Sequence, residues 1–317
     1  MKRTCIYLMV ILMSAQISSA QPAEKWPEQV KDIKYFSAAD SSMQPALFYD
    51  SGHNTPRPVL VALHTWSGGY MQSSSIPYAR WCIEKDWLFI HPDFRGPNDH
   101  PQACGSPLAM ADIQAALQWV KENCTVDTSR IYLIGNSGGG MAALLAAALY
   151  PESWTAVSAW VPVTDLTAWY KEGIERKNNY PEMVKRSCGG VPGESAAVDR
   201  EYRQRSPLTH LAKAKGVTLD INAGIHDGHQ GSVPVSHTLR AFNALAEKED
   251  RLSPEQIAYF VSEEKVPPDL IEPLIDTSYG EKKPLFRRQS GNTRVTIFEG
   301  GHGIVFEAAL NWLAAHK

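Results

Sequence analysis

The sequence is poor in the features that mark several large protein classes. Only five cysteines occur in 317 residues, too few for a scaffold held together by disulfides alone. Basic residues give no excess: 31 Lys and Arg stand against 34 Asp and Glu, a formal charge of −3, so nothing points to nucleic acid. No internal repeat or low-complexity tract appears, and collagen-like, coiled-coil and largely disordered classes are excluded. Beyond the first residues no apolar run is long enough to cross a bilayer. What remains is a globular composition, 44% hydrophobic with 22 Gly and 21 Pro, suited to one large α/β domain.

The first twenty residues read as a leader. Lys2 and Arg3 form a basic start, Ile6 to Met13 is a short apolar run, and Ser18-Ser19-Ala20 supplies small residues for cleavage. Cys5 lies inside the apolar run and no cysteine follows the small residues, so no lipid anchor is expected. The expectation is a signal peptide over 1–20, a single domain over 21–317, and export to the periplasm or the extracellular space, where the remaining cysteines meet oxidising conditions.

Within the domain, short apolar runs alternate with amphipathic stretches. Residues 21–57 hold one or two edge strands. Val59 to His64, Trp87 to Ile90, Ile131 to Ile134, Ala156 to Val163, Val217 to Ala223 and Arg294 to Phe298 read as buried strands. Helical spacing falls at 74–85, 106–122, 141–150, 236–247 and 304–315. This alternation implies a mostly parallel sheet covered on both faces. Two stretches, 165–215 and 251–290, interrupt it and read as excursions, the first lid-like.

Gly135-Asn136-Ser137-Gly138-Gly139 sits directly between a strand and an Ala-rich helix. A serine there is forced onto a sharp turn above the carboxyl end of the sheet, at a helix N-terminus that favours developing negative charge. Ser137 is therefore the candidate nucleophile. His302, in Glu299-Gly300-Gly301-His302-Gly303 after the last strand, is the candidate base. Asp227, after the preceding strand, is the candidate orienting acid, with Asp165 as its rival and Glu299 a distant third. The backbone amides of Trp66 and Gly138 are placed to hold an oxyanion. His226 and His229 lack further ligands, so no metal and no cofactor is expected.

These motifs carry a resemblance. The His64-Thr65-Trp66 loop, Arg95-Gly96, the Ser137 turn, Arg205-Ser206-Pro207, Asp227 with Val233-Pro234, and Gly301-His302 resemble the prolyl-oligopeptidase-like group of α/β-hydrolases over residues 55–317. The resemblance implies an eight-stranded mostly parallel sheet and a Ser–Asp–His triad. True oligopeptidases also carry a large N-terminal propeller, for which residues 21–57 leave no room, and that weakens a peptidase reading. Residues 91–98 and 226–234 more closely resemble secreted bacterial carbohydrate esterases, among them the α/β-hydrolase pectin methylesterases of carbohydrate esterase family 19. That likeness implies a serine esterase acting on methyl esters of galacturonic acid units. Arg95, Arg203 and Arg205 are then candidates to pair uronate carboxylates, and Trp66, Trp169 and Tyr170 to stack on sugars. Acetyl or glucuronoyl esters of plant glycans, a small exopeptidase and a non-catalytic binding protein are the alternatives. The partner expected is a glycan substrate, with no nucleic acid. Four cysteines follow the leader and allow three pairings. Cys104 and Cys188 fall in segments at the carboxyl edge, whereas in the resembled fold the helices ending at Cys82 and Cys124 cover different faces. One disulfide, Cys104–Cys188, is expected, with Cys82 and Cys124 as buried thiols.

Overall fold

A computed structural model describes residues 24–317; the expected leader lies outside the described residues. Three central strands are mostly apolar and wholly buried: β3 (Arg57–Leu63), β4 (Leu88–Pro92) and β6 (Ala156–Trp160). Such runs suit parallel strands covered on both faces. With β1 (Lys31–Ser37), β2 (Ser42–Tyr49), β5 (Val126–Asn136), β7 (Thr218–Gly224), β8 (Pro284–Ser290) and β9 (Thr293–Phe298) they form one nine-stranded sheet, ordered β1-β2-β4-β3-β5-β6-β7-β9-β8. The interior pairs are parallel, and the three outer pairs β1–β2, β2–β4 and β8–β9 are antiparallel.

The ninth strand corrects the expected eight. β8 lies in the excursion 251–290, where no strand is legible. It alternates buried and half-buried residues at the sheet edge and carries Arg287 and Arg288. Edge strands carry such charges, which blunt pairing with other chains, and so lack the apolar signature of central ones.

Helices α1 (Ile76–Lys85) and α10 (Phe306–Ala314) cover one face, packed on Leu60, Phe89, Tyr132 and Phe298. Helices α2 (Pro107–Asn123) and α3 (Gly138–Leu149) cover the other, on Val61, Leu133 and Val157. Every residue of α3 except Leu149 is buried, so this helix runs through the centre of that layer. The lid-like excursion folds as four helices: α4 (Leu166–Glu175), α5 (Tyr180–Cys188), α6 (Ala196–Arg205) and the single turn α7 (Pro207–His210). Its apolar faces make their own cluster, joining Trp169, Val184, Cys188 and Tyr202 to Trp66, Met141 and Val233 below. Helices α8 (Ser236–Leu245) and α9 (Pro254–Glu263) pack beside β9 and β8.

Register places the site. Leu63 pairs with Gly135, Gly135 with Ala159, and Gly224 with Phe298, so β3, β5, β7 and β9 end along one edge. The loops that leave those ends carry Trp66, Ser137, Asp227 and His302.

Candidate active site

Ser137 sits on a backbone that L-residues avoid, φ 58° and ψ −118°. The surroundings hold it there: its N–H donates to Trp160 O at 2.8 Å, and its carbonyl accepts from Met141 N at 2.9 Å. The two flanking glycines are needed for close approach. A Cβ on Gly135 would lie 2.1 Å from Gly139 O, and one on Gly139 would lie 2.5 Å from Leu63 O. Strain of this kind, of order 1–3 kcal/mol, persists only where packing over-determines it. Here it lifts the hydroxyl above the sheet edge.

The three sequence candidates meet in one line. His302 Nε2 is 2.8 Å from Ser137 Oγ, and His302 Nδ1 is 2.8 Å from Asp227 Oδ2. Asp227 is 2% exposed, and its other oxygen accepts from Val233 N at 3.2 Å. A buried carboxylate on Nδ1 fixes that N–H and leaves the Nε2 lone pair facing the hydroxyl, the tautomer that can take its proton. The rivals have other partners. Asp165 caps α4, accepting from Thr167 N at 2.9 Å and Ala168 N at 3.1 Å. Glu299 binds His226 at 2.9 Å.

Trp66 and Gly138 bring their backbones together. The Cβ position of Gly138 is 2.6 Å from both Trp66 N and Trp66 Cα, so only glycine lets the two segments lie this close. Gly138 opens α3, where first-turn amides have no helical acceptor. Two N–H groups beside a serine hydroxyl at a helix N-terminus can hold the oxyanion of a tetrahedral intermediate. The Trp66 loop is braced by residues that sequence reasoning missed. Gln72 Oε1 accepts from Thr65 N at 3.1 Å and Thr65 Oγ1 at 2.9 Å, and Asn98 N donates to Trp66 O at 2.8 Å. Ser232 was also missed: its Oγ lies 3.4 Å from His302 Nε2, on the nitrogen that faces Ser137. Asn98 and Ser232 fall within the stretches 91–98 and 226–234 but carry no role there, because their contacts reach partners distant in sequence.

The side chains expected to meet a substrate are placed differently. Arg95 is committed internally: its Nε and Nη2 bind the buried Asp112 at 2.5 and 3.1 Å, and its Nη1 binds Asp40 at 2.6 Å. Arg205 is buried and donates to the carbonyls of Pro101, Ala103 and Cys104, tying α6 to that loop. Trp169 is 1% exposed, with its indole N–H on Ser232 O at 2.7 Å and its ring at 4.5 Å, edge-on, from the buried ring of Trp66. Arg205 and Trp169 hold the lid, Arg95 ties α2 to the β1–β2 turn, and none of the three faces solvent. Tyr170 is half-buried against Tyr202 in the same cluster. Arg203 alone of the three arginines is exposed, beside Thr167 and Lys171 in a shallow groove.

The expected disulfide is corrected too. Cys104 and Cys188 enter the same apolar cluster but are free thiols, as are Cys82, which is buried as expected, and Cys124, which is only half-buried. Burial pushes the Cys104 thiol up to about 11 and the Cys124 thiol up to about 12, and raises Cys82 and Cys188 as well. Among the described residues no cluster of His, Cys, Asp and Glu has the geometry of a metal site, and no helix is long and apolar enough to cross a membrane.

Fold and site together define the α/β-hydrolase fold with a serine, a histidine and an aspartate in line at its sheet edge. Residues 108–260 match the prolyl oligopeptidase family. Acylamino-acid-releasing enzyme 2 of Oryza sativa is 22% identical over 263 residues, covering 78% of this chain and 33% of its own length. A serine hydrolase-like protein of Danio rerio is 31% identical over 151 residues, 42% of this chain and 41% of that one. Among solved structures, a putative dipeptidyl aminopeptidase IV from Bacteroides ovatus superposes with a TM-score of 0.61 at 15% identity, over 91% of this chain and 36% of that one. The chain thus spans less than half the length of these relatives.

Proposed function

We propose that the chain hydrolyses an acyl bond through an acyl-enzyme on Ser137, and that its substrates are short peptides or acylated amino acids. The observation that carries the chemistry is the unbroken line Ser137–His302–Asp227, with both links at 2.8 Å. Ser137 Oγ attacks the carbonyl as its proton passes to His302 Nε2. The amides of Trp66 and Gly138 hold the oxyanion, and the proton returns to the leaving amine or alcohol. Water then repeats the sequence on the acyl-enzyme. Asp227 keeps the imidazole in register and stabilises its charged form. The peptide class rests on the family match over 108–260 and on the peptidase relatives.

A second reading, hydrolysis of glycan methyl esters after export, rests on the leader-like residues 2–20 and the carbohydrate-esterase likeness of 91–98 and 226–234. It is the weaker one, because Arg95 and Arg205 have internal partners and only Arg203 is left to meet a uronate. One panel separates the two. Acylaminoacyl and aminoacyl p-nitroanilides report amide cleavage, while methanol and acetate release from methylated pectin and acetylated xylan report ester cleavage. Turnover of the anilides with none of the glycans supports the first reading. Methanol release with inert anilides overturns it.

A further inference from the structure

We propose that His226 is a positioning residue, a protonated imidazolium that straps the loop of Asp227 to the loop of His302; this rests on the serine-hydrolase reading above. His226 Nδ1 lies 2.7 Å from Glu264 Oε2, and its Nε2 lies 2.9 Å from Glu299 Oε1. Carboxylates only accept hydrogen bonds, and a neutral imidazole carries one N–H. Both contacts are hydrogen bonds together only when the ring holds two protons. Partial burial opposes that charge, but the carboxylates of Glu264 and Glu299 outweigh it and raise the pKa of His226 above the ordinary histidine value.

The strap joins three segments. His226 immediately precedes Asp227, and its own N–H donates to Gly300 O at 2.9 Å. Glu299 directly follows β9, three residues before His302. Glu264 caps α9 in a left-handed conformation, φ 51°, so the excursion that carries α9 is tied to the same edge. The groups facing this cluster are Glu264 and Glu299 themselves, His229, whose Nδ1 is 3.6 Å from Glu264 Oε1, the neighbouring Asp227, and Arg176, which reaches the turn at Gly228. The half-exposed cluster is open to bulk pH, since the three side chains are 27%, 31% and 50% exposed.

Loss of one proton from His226 leaves a lone pair facing a carboxylate. That contact breaks, and the two loops lose a shared anchor next to the 2.8 Å Asp227–His302 bond. The rate then has an alkaline limb: activity falls as pH rises and His226 loses its charge. The strap's contribution to stability has the same sign: it is full below the ordinary histidine pKa and disappears as pH rises through the raised one.

The test is kcat and KM from pH 5 to 10 on a chromogenic acyl donor. The wild type should lose activity on the alkaline side. His226→Gln, which keeps one donor and does not titrate, should lose the alkaline limb and drop kcat roughly 10- to 100-fold with KM little changed. Glu264→Gln and Glu299→Gln should each move that limb to lower pH. Imidazole nitrogen NMR of the wild type without substrate should show one histidine that keeps both protons to a higher pH than an ordinary histidine, its titration shifted in the glutamate variants. An alkaline limb that stays put in all three variants, or no histidine with that signature, overturns the proposal. An active-site titration burst separates this from failure of the serine reading: His226→Gln should still burst, and Ser137→Ala should not.

Discussion

Replacing Asp227 with Asn tests the site most sharply, because the outcome follows from where each atom of the carboxylate lies. One oxygen accepts from Val233 N at 3.2 Å, and the other meets His302 Nδ1 at 2.8 Å. An asparagine amide is nearly isosteric, so its oxygen keeps the Val233 bond and its NH2 turns toward His302. Nδ1 must then accept, which places the ring proton on Nε2, facing Ser137 Oγ at 2.8 Å. That tautomer cannot take the serine proton. Turnover should fall by about 10⁴, near 5 kcal/mol of transition-state stabilisation at 1.36 kcal/mol per tenfold, while KM and melting temperature change little. The assay is pre-steady-state release of p-nitrophenol from an activated ester, which separates acylation from turnover. Asp165→Asn is the matched control. It keeps a capping oxygen for Thr167 N and Ala168 N, and turnover should stay within a few-fold of wild type. Comparable loss in both variants, or activity above a tenth of wild type in Asp227→Asn, would refute the reasoning.

Three further outcomes follow. Ser137→Ala should lose roughly 10⁴ to 10⁶ in turnover with the fold intact; residual activity above a tenth in purified protein would place the nucleophile elsewhere. Gly138→Ala puts a methyl 2.6 Å from Trp66 N, so the two amides must separate; turnover should drop about 10² to 10³, and an unchanged rate would remove this pair from the oxyanion site. Arg95→Ala leaves the fully buried Asp112 unpaired and should cost about 3–5 kcal/mol in urea unfolding with KM unaltered, whereas a raised KM with unchanged stability would restore a substrate role.

The order and position of Ser137, Asp227 and His302 were legible because each follows a strand rich in apolar residues, and register then brings their loops to one edge. β8 was not legible, since an edge strand with Arg287, Arg288 and Gln289 has the composition of a loop. The arginines show a different limit. A guanidinium after a strand reads the same whether it waits for a ligand or binds Asp112 and Asp40, and only the fold reveals that Arg95 reaches back 55 residues to β2's turn. Cys104 and Cys188 were correctly drawn to one place, but proximity in a cluster is a weaker condition than the separation and angle a disulfide needs.

The same distinction governs the substrate. The chemistry of a serine hydrolase sits in a few loop residues whose spacing survives in sequence. Selectivity sits in what the lid leaves open, and that depends on how α4, α5 and α6 pack. In this chain their aromatic residues turn inward, Trp169 onto Trp66 and Ser232, and Tyr202 onto Gly190 O. The lid is therefore fixed to the oxyanion loop by Trp66 itself. A change in the lid's core, such as Trp169→Ala, would reach the Trp66 amide through the indole contact before it altered any exposed surface. Residues that look like a sugar platform in sequence act, on this packing, as the support that holds one of the two N–H groups in place.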